Sequence, residues 1–104
     1  DVAWFPCAFP GADAHAGHTE TSVLLHFSPS SVSMSAVQAG NTAPVAELLP
    51  AMRAGGVAAV SANGVLGDPT TAAEHHGARL LDALVARLDA ALGDWRVDES
   101  GRLG

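Results

Sequence analysis

Residues 13–27 read Asp13-Ala-His15-Ala-Gly-His18-Thr-Glu20-Thr-Ser22-Val-Leu-Leu-His26-Phe27. A loop of small residues here runs into an apolar periodic stretch. Glu20, Val23, Leu24 and Phe27 fall at i, i+3, i+4 and i+7, which is one helical face. The spacing predicts a helix over residues 19–28, with Thr19 as N-cap and Pro29 ending it. The same register turns Glu20 toward the buried side. A carboxylate placed there needs a metal, a histidine or backbone N–H groups as partner. The plainer alternative is a first-turn glutamate favoured by the helix dipole.

Upstream, residues 2–9 form a short apolar run that Pro6 demotes to an edge strand or an irregular stretch. Residues 30–44 are rich in Ser, Ala and Gly, with weak alternation at Val32, Met34 and Ala36 that suggests a strand. Residues 45–54 suggest a helical turn interrupted at Pro50 and ended by Gly55 and Gly56. Residues 57–62 look like a strand followed by a turn at Asn63-Gly64. The clearest helix is expected from about 70 to 92. Thr71 and Glu74 have capping-box spacing, Leu81, Leu84, Val85, Leu88 and Leu92 make an apolar stripe, and Gly93 is the stop. Strands alternating with helices give the α/β class.

The chain has 104 residues, enough for one small domain. Residues 1–95 form the expected domain, and 96–104 a polar, frayed tail. The 48% hydrophobic content is high for this length and suggests apolar surface meant for a partner layer. Eleven acidic residues against five scattered arginines give a net charge of −6, which excludes a nucleic-acid face. The single cysteine, Cys7, makes no internal disulfide and reads as a buried thiol in a reducing, cytoplasmic protein. No apolar run approaches membrane-spanning length.

Among the five histidines, His15 sits between small residues that leave room for a ligand. His and carboxylate groups gathered at His15, His18 and Glu20 suit proton transfer or metal ligation. The competing reading makes His15 a loop histidine and His18 a solvated one. His26 falls away from the Glu20 face, and His75 and His76 lie in a first helical turn, where the dipole favours neutral rings. Asn63-Gly-Val-Leu-Gly-Asp68 lacks a P-loop lysine and carries a carboxylate where phosphate would sit, so it reads as a turn and cap. Ser22 and Ser61 lack a nucleophile-elbow pattern.

His15-Ala-Gly-His18-Thr-Glu20-Thr-Ser22 resembles the His-x-Gly-x-x-Glu-Thr-Ser helix start of the creatininase family, and is most similar to its mycofactocin-biosynthesis branch. Pro10 to His15, Ala62 to Thr70 and Glu74 to Leu81 resemble the same branch, so the likeness runs to about Trp95. The resemblance implies the C-terminal part of a three-layer α/β/α fold with a largely parallel sheet. It also implies a metal-dependent amidohydrolase or peptidase that releases a C-terminal dipeptide from a modified precursor peptide. His15 matches the histidine that contacts substrate and transfers protons; Glu20 matches the acid supporting it.

The family's divalent metal ions, zinc, manganese or iron, are held by an upstream Glu-x-His segment, an Asp and a His-containing Gly-rich loop. None of these is present here, so His18 is the one candidate ligand in this chain. Gly11 and Ala12 stand where creatininase itself has an aromatic–acid pair, which disfavours a creatinine pocket. The expectation is a fragment, inactive alone, of a homo-oligomeric enzyme. The alternative is a noncatalytic α/β interaction domain.

Overall fold

The computed structural model describes all 104 residues, Asp1–Gly104. Three α-helices carry the architecture: α1 (His18–Phe27), α2 (Val45–Gly55) and α3 (Glu74–Asp94), with single 3-10 turns between them. The expected α/β class, and with it the parallel sheet of a three-layer fold, is not what forms. There is no strand; only three isolated bridges occur, Trp4 with Arg102, His15 with Leu66, and Val97 with Leu103.

The reason lies in where the backbone groups find partners. A strand must exchange N–H and C=O groups with a neighbour along a ladder, and the segments read as strands form local turns or isolated bridges instead. In residues 57–62, Val60 and Ser61 both donate to the Val57 carbonyl, closing a 3-10 turn. Residues 30–44 likewise hold two such turns, at Pro29–Ser31 and Met34–Ala36. Residues 2–9 form one bridge, at Trp4, whose N–H donates to Gly101 O and whose carbonyl accepts from Leu103 N–H.

The first and last helices lie close to the expected bounds, but their ends are made differently. Asp13, not Thr19, caps α1: its Oδ2 accepts from the His18 N–H at 2.6 Å and its Oδ1 from the Thr19 N–H at 3.1 Å. No Thr71–Glu74 capping box forms. Instead α3 begins after Ala73, whose N–H donates to Ser22 Oγ at 3.1 Å. Asp68 caps the preceding turn through Thr70 N–H at 3.0 Å, the expected turn-and-cap role. The last helix runs through Gly93 and ends on Trp95, held in the left-handed region (φ 46°, ψ 49°). Pro50 sits inside α2 without ending it.

Packing centres on the contact between α1 and α3. The buried face of α1 is Thr19, Thr21, Ser22 and Val23. Small residues let the two backbones approach closely: a Cβ at Gly77 would collide with the Ser22 carbonyl. The Leu stripe of α3 is only partly covered, with Val85 58% exposed. The tail expected to be frayed instead returns to the body. Leu103 is buried, and Arg102 stacks over the Trp4 ring at 5.8 Å. Cys7, expected to be buried, is exposed on the irregular N-terminal stretch, which no second layer covers.

Only 13 of 104 residues are buried, and the molecule measures 44 × 34 × 18 Å, a slab rather than a sphere. Its accessible surface of 6669 Å² exceeds the roughly 5,400 Å² expected for a compact monomer of this mass.

Candidate functional site

Three stretches of backbone meet at Leu66 and place the His15 loop. Ala14 and His15 donate to the Leu66 carbonyl at 3.0 and 3.1 Å, and Leu66 N–H returns a bond to His15 O at 2.9 Å. On the other side, Gly40 and Asn41 donate to Gly67 O and Val65 O. Asn63 stiffens this junction by accepting from Ser61 Oγ and Val65 N–H through Oδ1.

From that anchor the chain turns sharply into α1. Ala16 adopts φ 51°, a left-handed conformation costly for a residue with a Cβ. Its N–H donates to Glu20 Oε2 at 2.5 Å. Glu20 therefore reaches back from the first turn of the helix to hold the loop that carries His15. The His15 Nδ1 lies 3.8 Å from the same oxygen, an ion-pair distance when the ring is protonated and too long for a hydrogen bond. Both side chains are open to solvent, His15 at 63% and Glu20 at 56%. Such an exposed pair contributes little to stability.

The burial expected for Glu20 is thus reversed. Its register with Val23, Leu24 and Phe27 is as read, but only Val23 of that set is buried, and Phe27 is 61% exposed. The stripe faces outward and forms a shelf with Phe9, His15, Glu20, Leu24 and Phe27 along it.

His18 points elsewhere. Its Nδ1 lies 2.8 Å from Thr71 Oγ1 and its Nε2 2.5 Å from His76 Nδ1, so both ring nitrogens are engaged between α1 and α3. It is neither the solvated histidine nor the spare ligand that its place in the sequence suggests. Partial burial pushes the His76 pKa down, reinforced by the like charges of His18, Arg79 and His75.

Asp13 was invisible to motif reading. Its oxygens reach N–H groups five and six residues ahead, a longer span than any capping template. Burial alone would raise its pKa, but backbone N–H bonds from Thr19, His18 and Asp68 outweigh it and hold the carboxyl below the usual range. Ser22, also unflagged as a cap, is fully buried beneath α3.

The metals expected of the family can be tested against these side chains. No three His, Cys, Asp or Glu residues converge on a point that could hold an ion. His18 is committed to Thr71 and His76, and Glu20 to Ala16. The residues present do not form a metal site.

The family model for creatinine amidohydrolase matches residues 3–92. The chain belongs to the creatininase family. It is 54% identical over 103 residues to the mycofactocin precursor peptide peptidase of Mycolicibacterium smegmatis (strain ATCC 700084 / mc(2)155). It is 53% identical to the protein of that name from Mycobacterium tuberculosis (strain ATCC 25618 / H37Rv) and 52% to that of Mycobacterium ulcerans (strain Agy99). In each case 99% of this chain is covered, but only 41–42% of the relative. No solved structure matches the chain.

Proposed function

We propose that this creatininase-family chain supplies the proton-transfer wall of a metal-dependent amide or peptide hydrolase. We further propose that the full-length gene product acts on the mycofactocin precursor peptide, releasing a C-terminal dipeptide. The observation that carries this reading is the joint placement of His15 and Glu20 on one open, apolar-edged shelf, with Glu20 tied to the His15 loop through Ala16 N–H at 2.5 Å.

The chemistry follows from that placement. Breaking an amide C–N bond requires a proton for the departing nitrogen, and imidazole is suited to supply it near neutral pH. His15 faces Glu20 through Nδ1, which leaves Nε2 as the atom that serves substrate. The Glu20 carboxylate, by fixing Ala16, limits where the His15 ring can sit. Phe9, Leu24 and Phe27 give apolar surface beside it for a peptide side chain. Divalent metal, zinc, manganese or iron, is proposed for the full-length product, held by residues other than the 104 described here. Homo-oligomerisation and a cytoplasmic setting belong to the same proposal; no helix is long and apolar enough to cross a membrane.

The test is incubation of the full-length product with the precursor peptide, followed by mass spectrometry, before and after chelator treatment. Release of a C-terminal dipeptide, lost on chelation and restored by zinc, manganese or iron, is expected. Undiminished cleavage by metal-stripped protein would defeat the metal-dependent reading.

A further inference from the structure

We propose that Asp13 is a positioning residue for His15, clamping the loop 14–17 so that the imidazole is held in place beside Glu20. This role rests on the proton-transfer function proposed for His15.

The loop is short and strained, and it is fastened at three points. At its entry, the His15 backbone is paired in both directions with Leu66. At its middle, Ala16 N–H is held by Glu20. At its exit, Asp13 reaches across the whole loop to take the first two helical N–H groups, at His18 and Thr19, one on each carboxylate oxygen. The third fastening closes the ring: residue 13 is bonded to residues 18 and 19, and His15 lies on the arc between them. Removing it leaves Ala16 in a left-handed conformation with one support fewer.

Asp13 is itself immobilised. A Cβ at Gly17 or at Gly67 would collide with its carboxylate, so two glycines close on it from either side. The carboxylate therefore has one place to sit, and the loop inherits that placement. The downward pKa shift of Asp13 fits a carboxylate that stays ionised to accept these N–H groups. Asparagine has the same shape, but its amide NH2 would face a backbone N–H where the second oxygen now accepts. Serine offers a single acceptor.

The experiment compares wild-type full-length product with Asp13→Asn and Asp13→Ser, using the precursor peptide as substrate. It reads kcat, KM, the pH dependence of kcat, melting temperature, and amide hydrogen exchange at Ala16, His18 and Thr19. For Asp13→Asn, kcat should fall on the order of 100-fold with KM held, the cost of a small misplacement of a catalytic group. The pH profile of kcat should change, and the three amides should exchange faster while the helices stay protected. Asp13→Ser should fall between the two, and carries the comparison alone if Asp13→Asn does not fold.

A wild type that leaves the peptide intact refutes the proposed function. With an active wild type, unchanged kcat and pH profile in both variants refutes the positioning role. So does a kcat loss that merely follows the melting temperature and disappears when the assay is cooled.

Discussion

Ala16 holds the left-handed turn that presents His15, and a glycine there would relax it. The left-handed cost for an L-residue, less the entropy glycine adds to the unfolded chain, predicts that Ala16→Gly stabilises by about 0.5–1 kcal/mol in urea unfolding. Histidine 76 sets an acid limit of its own. His76 Nδ1 lies 2.5 Å from His18 Nε2, with Arg79 and His75 also close, so added positive charge on His76 is disfavoured. With its folded pKa depressed, His76 binds fewer protons in the folded state than in the unfolded one. Its contribution is complete above the ordinary histidine value and declines as pH falls below it. Melting temperatures between pH 8 and 5 should therefore drop toward acid in the wild type and drop less in His76→Gln. At this scale the sequence marked His15 and Glu20 as a pair but missed Asp13, Ser22 and the His18–His76 link. Each of these acts over a distance that neither helical periodicity nor a capping motif encodes.

Helices α1 and α3 stand or fall on a close approach of small residues. Gly77→Ala would drive a methyl group into the Ser22 carbonyl, and should destabilise by about 1–3 kcal/mol in urea unfolding, the usual range for overpacking. Ser22→Ala removes the acceptor for Ala73 N–H at the start of α3 and should cost about 1–2 kcal/mol in the same experiment. Helix positions were legible because apolar spacing persists over two turns or more. Which face would be covered was not. Glu20, Leu24 and Phe27 have core spacing yet form the open shelf, since the face that packs is chosen by the small residues Thr19, Ser22 and Gly77. Residues 57–62 illustrate the other failure. Their β-branched and small composition suits a strand, but with no adjacent strand the backbone closes into a 3-10 turn.

Across the whole molecule, the 16.2 Å radius of gyration exceeds the roughly 13 Å of a compact chain this long. Large apolar residues on α1 and α3 stay exposed, among them Leu24, Phe27, Val85 and Leu92. The 104-residue chain expressed alone should therefore bind a hydrophobic dye and associate in sedimentation. A monomer with a cooperative melting transition would contradict this. The high apolar content pointed to such surface, whereas the layered sheet inferred from the family resemblance did not form within these residues. The proposed function rests on a narrower feature than the fold, the shelf that carries His15 and Glu20. Its most direct test is His15→Ala in the full-length product, with cleavage of the precursor peptide and bound metal measured on the same sample. The account predicts that cleavage is abolished while metal content stays near the wild-type level; retained cleavage, or loss of the metal, would contradict it.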